Sequence, residues 1–362
     1  MSGVRIASMA EAGNGRASWY HQCASLLSIG VWTERVQGKG EDAEPLLVHH
    51  VPTGEGLAAV FDGAGGAGAS IAHELPGGPR RSGAWVGARV ARSATESWFR
   101  ATVAGRGSGS GGPAGDAATL SRHMTRLLAP MRPDRPSRLV GGVRRELPTT
   151  MAAVRYRRAG SRVGCRVLWA GDSRAYLLSP GTGLQALTRD HTAETDALEQ
   201  LVQDPPMTNV ICADRAFRID QSDTSFELPC VLVCATDGFF GYVDTPAHFE
   251  RHLLRALQDA RDTADWADLL CARVAEYTGD DASLTAVALG YRHFEDLRSA
   301  FARRADTVER DYWLGREHHG RPGFDEWRHR TWLAYRPDYE RRMPPVAVAG
   351  SEGSSSQEGG TW

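Results

Sequence analysis

"VFDGAGGAGAS", residues 60–70, runs from an apolar segment through a single aspartate into a glycine-rich turn. Gly63, Gly65 and Gly68 make a literal G-x-G-x-x-G, the glycine spacing of a dinucleotide-binding turn. The surroundings do not fit that reading. Such a fold needs a second strand ending in Asp or Glu roughly 20 residues on, and here the chain reads "PGGPRRSG". No Walker lysine follows either. Asp62 would also face the pyrophosphate, anion against anion. The alternative is to take the carboxylate as the point of the motif: an aspartate at a strand end can hold a hard cation such as Mg²⁺ or Mn²⁺, and the glycine after it lets its own carbonyl approach.

Other acids stand in the same kind of place. Glu41 and Asp42 follow "SLLSIGVW" (25–32), Asp172 follows "CRVLWAG" (165–171), Asp237 ends "CVLVCAT" (230–236), and Asp280 and Asp281 precede "SLTAVALGY" (283–291). Each lies where an apolar, strand-like run meets a loop. Taken singly, Asp172 could cap a hairpin turn, Asp237-Gly238 could be a turn dipeptide, and Glu41 and Asp42 could be a solvated loop. Taken together, clustered carboxylates repel or take up protons unless a cation sits among them.

The remaining runs give the organisation. Strands are expected at 56–62, 149–156 and 175–179, and helices at 84–103, about 117–129, 192–203 with Thr192 as cap, 246–259 and 264–278. That order lacks the strict alternation of a doubly wound parallel sheet. Residues 1–21 read as a flexible leader, 104–115 as a glycine-serine loop, 292–345 as an arginine- and tryptophan-rich helical appendage, and 346–362 as a disordered tail.

The 362 residues carry a formal net charge of −2, which argues against broad attraction to nucleic acid or anionic lipid. The six cysteines form no C-x-x-C pair, and Cys230 and Cys234 lie in an apolar run, as buried thiols do. With no signal-peptide pattern in the first thirty residues and no apolar run near the roughly 20 residues a membrane helix needs, a cytoplasmic protein is expected.

These residues resemble the metal-dependent protein phosphatases of the PPM (PP2C) family, in its bacterial form. "GEDA" (40–43), "VFDGAGG" (60–66), "PTTMAAV" (148–154), "WAGDSRAYLL" (169–178), "LTRDHT" (187–192), "CATDGFFGYV" (234–243) and "GDDASLTAVAL" (279–289) are similar to its motifs, in order, across residues 22–291. The resemblance implies an α+β fold: a four-layer α/β/β/α sandwich of two mostly antiparallel sheets flanked by helices, here with the C-terminal appendage added. It implies two Mg²⁺ or Mn²⁺ ions, with Asp62 bridging both, Asp237 and Asp280 completing one site, and Glu41 and the Gly63 carbonyl completing the other. Asp62 and Asp237 would act catalytically through a bridging water, while Asp42 and Asp172 would lie in an outer shell or on a third metal. The implied partners are proteins phosphorylated on serine or threonine by a cognate kinase, and the protein is expected to act as a monomer.

The chain departs from the pattern in places. Gln37 stands where a phosphate-binding arginine is usual, leaving Lys39 and Arg35 as candidates for that role. Ala64 replaces a common histidine, Gly241 an acid, and Asp281 an asparagine. His73 is more often a structural residue than a ligand, and His191 reads as a turn residue tying its loop down. The segment 192–228 takes the place of a variable flap. A catalytically weak phosphoprotein-binding relative and a small-molecule phosphohydrolase are the alternative functions.

Overall fold

The longest apolar runs of the sequence are strands covered on both faces. The computed structural model describes residues 4–6, 15–24, 26–69, 71–74, 79–105, 115–132, 144–203, 205–316 and 321–346. In chain order its strands are β1 (Val4–Ile6), β2 (Arg16–Cys23), β3 (Leu26–Thr33), β4 (Ala43–His50), β5 (Glu55–Phe61), β6 (Ile71–Glu74), β7 (Arg80–Ser82), β8 (Met151–Ala159), β9 (Arg162–Ala170), β10 (Arg174–Ser179), β11 (Gly183–Ala186), β12 (Asp220–Glu227), β13 (Cys230–Ala235) and β14 (Ala282–Leu289). Its helices are α1 (Gly65–Gly68), α2 (Gly83–Gly105), α3 (Asp116–Leu128), α4 (Ala197–Gln203), α5 (Asp237–Phe240), α6 (Pro246–Asp259), α7 (Thr263–Tyr277), α8 (Phe294–Val308) and α9 (Arg321–Tyr339).

Two six-stranded sheets result, ordered β1-β4-β5-β8-β9-β12 and β11-β10-β13-β14-β3-β2, and every pairing in them is antiparallel. The period of two along each strand sorts its side chains into layers. On β13, Cys230, Leu232 and Cys234 enter a core shared with Ala58, Val60, Val154 and Val167 of the other sheet. The alternate residues Val231, Val233 and Ala235 turn outward against Phe249, Leu253, Trp266 and Phe301 of α6, α7 and α8. On β5, Leu57, Ala59 and Phe61 face Val86, Ala94, Phe99 and Leu120 of α2 and α3. The expected α/β/β/α sandwich is therefore present. All six cysteines are free thiols, and Cys165, Cys230 and Cys234 sit in the inter-sheet core.

Four local expectations change. Arg16–Cys23, assigned largely to the leader, is the edge strand β2: Ala17 and Trp19 turn inward, and Trp19 pairs with Gly30 and lies over it. The last part of the flap segment is β12, paired along its whole length with β9; its sequence "DQSDTSFE" is polar because it is an edge with one exposed face. α4 begins at Ala197 rather than Thr192. The Thr192 hydroxyl is committed to the Glu194 carbonyl, and Asp196 Oδ1 accepts from Leu198 N at 2.9 Å and Glu199 N at 3.2 Å as the actual cap. β6 and β7, which the sequence pattern did not suggest, form a separate hairpin.

After β14 come α8, a π-helical turn (Glu309–Trp313) and α9, whose Trp332, Tyr335 and Tyr339 join the core over the second sheet. Most of the 104–115 loop and, apart from Val346, the 346–362 tail lie outside the described residues. Among the described residues no helix is long and apolar enough to cross a membrane.

Candidate active site

Register brings the candidate acids to one end of the sandwich. Ala282 pairs with Thr33, Arg174 with Ala235, Ala43 with Phe61 and Met151 with Ala170, so the flanking acids all lie beyond the same strand ends. Asp62 follows β5, Asp172 sits in the β9–β10 turn, Asp237 opens α5, and Asp280 and Asp281 precede β14. Glu41 and Asp42 close the loop between β3 and β4.

Direct contacts join them across both sheets. Glu41 N donates to Asp281 Oδ2 at 2.6 Å and Arg35 N to Asp281 Oδ1 at 2.8 Å. Asp281 therefore works as an acceptor that pins the β3–β4 loop to the start of β14, a task for which a carboxylate serves as well as an amide oxygen. Thr236 Oγ1 donates to Asp42 Oδ2 at 2.9 Å, linking the first sheet's loop to the second sheet's strand end. The buried Asp42 and Asp62 carboxyls lie close enough to act directly on each other, and a hydrogen bond between them would need a proton on one. Ser82 Oγ donates to Glu41 Oε1.

The glycines explain themselves here. A Cβ on Gly65 would stand 1.9 Å from Glu41 Oε2, so the turn after Asp62 can wrap around that carboxylate only without side chains. Gly171, before Asp172, has φ +90° and lies against Thr150, where a Cβ would meet the Thr150 Cβ at 2.5 Å. Asp62 is fixed by its own carbonyl, which accepts from Thr150 N at 2.9 Å and Thr149 Oγ1 at 2.6 Å. Gly63 forms a bridge with Thr149.

The electrostatics are those of a crowded set of anions. Burial, and then the charge of Asp281, push the Asp42 carboxyl well above the usual range. Burial, then Asp42 and Asp172, do the same to Asp62. Glu41 and Asp280 are raised, in each case by burial first. Arg35 lies near enough to Asp280 to oppose its shift, although its side chain is exposed. Lys39 is exposed on the same loop. A cavity of about 240 Å³ opens on the group, lined by Asp172, Asp237 and Asp280, by Tyr242 beside Asp280, and by Arg174, Gln200 and Leu201. Among the described residues no three acid, histidine or cysteine side chains already close round a point that would hold a metal ion.

His191 does tie down its loop. Gly171 N and Asn209 Nδ2 both donate to Nδ1 at 3.0 Å, so Nε2 carries the proton and donates to Asp220 Oδ2 at 2.9 Å. Through Gly171 it steadies the turn that bears Asp172. His73 is exposed, away from the acids, in β6. Sequence reasoning missed Ser82 and Arg89, whose Nη1 donates to the Glu41 carbonyl at 3.1 Å. Nothing in the sequence marks Ser82. The placing of Arg89 four residues after Trp85, one turn along helix α2, is a signal that could have been read; Arg81 reaches the same ring from β7.

No protein-family model matches the chain, and no curated protein does. Solved structures do. A Caenorhabditis elegans sex determining protein superposes with TM-score 0.53 at 16% identity, covering 78% of this chain and 68% of that one. A serine/threonine phosphatase of Staphylococcus aureus gives 0.49 at 17%, covering 74% and 98%. The Mycobacterium tuberculosis serine/threonine phosphatase PstP/Ppp gives 0.45 at 18%, covering 74% and 100%. At such identities the likeness is one of fold, and the fold of this chain, a four-layer sandwich of two antiparallel sheets between helices, is the one that the sequence resemblance implies.

Proposed function

We propose that the chain is a Mg²⁺- or Mn²⁺-dependent phosphatase acting on phosphoserine and phosphothreonine in proteins, opposite a cognate kinase. The observation that carries this reading is the close approach of the buried Asp42 and Asp62 carboxyls among further acids, with Arg89 and Arg35 at the edge of the group and, among the described residues, no ion pair from an arginine onto either carboxyl. A proton there does what a cation would do better. The donors are all hard oxygen, which suits these two metals and argues against zinc or copper.

In this reading Asp62, Asp237, Asp280, Glu41 and the Gly63 carbonyl hold two cations, with Asp42 and Asp172 in support. Bound there, the pair would lower the pKa of a water and neutralise charge on the phosphoryl oxygens. The chain's own residues orient the ligands. Asp281 and Ser82 fix Glu41, Thr149 and Thr150 fix the Asp62 backbone, and the His191 relay steadies the turn of Asp172. The cleft wall of Arg174, Gln200 and Tyr242 gives a polar side on which substrate can rest. No cysteine is needed as nucleophile; burial pushes the Cys230 thiol up to about 12, far from a reactive thiolate.

A second reading, a phosphoprotein-binding relative of low activity, is favoured by Gln37 and by the outward placing of Lys39. One assay separates the two: hydrolysis of a chromogenic phosphate monoester with and without Mn²⁺, in wild type and in Asp237→Asn. Metal-dependent turnover abolished by the substitution supports the phosphatase. Silence of the wild type with retained phosphopeptide binding would replace it with the binding protein.

A further inference from the structure

Behind the Glu41 loop, between the β6–β7 hairpin and helices α2 and α3, lies a second cavity of about 540 Å³. Its lining is of two kinds. Val86, Val90, Leu127 and Met131 give an apolar floor. Over it stands Trp85, with the Arg81 guanidinium 4.6 Å from its ring centre and that of Arg89 at 4.0 Å. The described lining contains two guanidiniums and His73, and no carboxylate. Both arginines are held by neutral oxygens, Arg81 Nη1 by the Gly38 carbonyl at 2.8 Å and Arg89 Nη1 by the carbonyls of Glu41 and Trp85. Two like charges thus flank one indole, fixed in direction, beside an apolar pocket.

The cavity adjoins the acid site. Ser82, next to Arg81, touches the Glu41 carboxylate, and its Oγ accepts from Trp85 N at 3.1 Å. Whatever enters here comes close to a group bound at the acids. We infer that the cavity is a specificity subsite for the polypeptide around the phosphorylated residue, taking a Glu or Asp side chain onto Arg81 and Arg89 and a neighbouring large apolar side chain onto the floor. The inference rests on the phosphatase reading. Charge complementarity selects the acidic partner: a basic segment would meet the two guanidiniums, and a purely apolar one would leave them without an anion. The planar forks suit a carboxylate held by two hydrogen bonds.

The test uses the full chain with Mn²⁺ and phosphoserine peptides carrying Glu, Gln or Lys at one position at a time, up to four residues either side of the phosphoserine. The expected result is a preference in kcat/KM for Glu over Gln at one position of roughly 10-fold, the size of a charge-assisted hydrogen bond. Arg81→Gln should remove that preference while leaving turnover of a small chromogenic ester unaltered. Val90→Glu, which puts a carboxylate inside the cavity, should remove it independently. If the ester is hydrolysed but the wild type treats Glu, Gln and Lys peptides alike at every position, the subsite is overturned and the phosphatase stands. If nothing is hydrolysed, the phosphatase falls, and fluorescence anisotropy of labelled Glu and Gln peptides still reads the subsite: equal binding overturns it, whereas a Glu preference lost in Arg81→Gln sustains it. Binding of 3-phenylpropionate with no discrimination among peptides would assign the cavity to a small anion and overturn the peptide.

Discussion

The molecule treats buried carboxylates in two ways. In the helix layers and on the sheets, each is clamped by an arginine. Glu250, fully buried, takes Arg304 through both oxygens at 2.7 and 2.8 Å and a further bond from Tyr335. Asp190 takes Arg174, and Glu55 takes Arg155. At the end of the sandwich the pattern reverses. Asp42, just as buried, has Thr236 and the carboxyl of Asp62 as its partners. A chain this rich in arginine did not lack cations to place there. The first group has its charge supplied by the fold; the second, under the proposed function, would take its charge from solution.

The comparison breaks most visibly at Asp62. Asp62→Asn is expected to cut metal-dependent ester hydrolysis by about 10⁴-fold, more than the 10²–10³ of one electrostatic donor, because this side chain is proposed to serve both cations. The metal-free variant should stay folded, which circular dichroism and a thermal midpoint check. At the clamped sites the order of effects inverts. Arg304→Gln leaves Glu250 buried without its charge partner and should cost about 3–5 kcal/mol in denaturant unfolding, while the acid end, remote from it, keeps its metal affinity. If Arg304→Gln proved harmless, or if Asp62→Asn unfolded the chain, the contrast between the two regions would be mistaken.

The pH dependence sharpens the same contrast. The Asp42 carboxyl is raised by burial and then by Asp281, and the Asp62 carboxyl by burial and then by Asp42 and Asp172, so what they contribute to stability is greatest in acid. It is lost as pH rises past the ordinary Asp value of about 3.9 and through the higher folded values. Asp220 runs the other way. Burial alone would raise it, but the hydrogen bond from His191 and the Arg218 guanidinium outweigh that and hold it low, so its contribution is lost as pH falls. Metal-free protein should therefore lose stability as pH rises from about 4, the ordinary Asp value, toward pH 8. A divalent cation should restore it most at pH 8, by about 2.7 kcal/mol at one hundred times its Kd. Asp42→Asn, whose amide can donate to Asp62 without needing a proton from solution, should flatten the loss. Thermal midpoints with EDTA and with Mn²⁺ across that range decide it.

Much of this arrangement was legible. Runs such as "CVLVCA" are apolar at every position because both faces of the strand are covered, and acids at their ends are conspicuous for standing where the core stops. The edges were harder to read. β2 and β12 are half polar, and only their partners reveal them: Trp19 over Gly30, and "DQSDTSFE" along β9. Distances between remote segments were not readable either. Nothing in residues 321–346 announces that α9 reaches the acid cleft, and nothing near Thr192 announces that Asp196 takes its place as the cap, because both depend on what packs against them.

That last contact carries the smallest prediction. Asp196 Oδ1 caps α4, and its Oδ2 accepts from Arg336 Nη1 at 2.8 Å and Trp332 Nε1 at 3.3 Å of α9. Tyr339, from the same helix, accepts through its hydroxyl from Arg174 Nη1 at 3.3 Å, and Arg174 and α4 residues Gln200 and Leu201 line the cleft. α9 thus helps to hold the part of the cleft lining formed by Arg174, Gln200 and Leu201. The Arg336 side chain is 41% exposed, so the pair is worth at most about 1 kcal/mol to the whole fold. Its effect should be local. Arg336→Gln is expected to speed amide exchange across residues 197–203 and to raise KM for a phosphopeptide a few-fold, leaving kcat and small-ester turnover close to wild type. A fall in kcat without a change in KM would mean that the wall acts on the acids themselves, and that the two sides of the cleft are one mechanical unit.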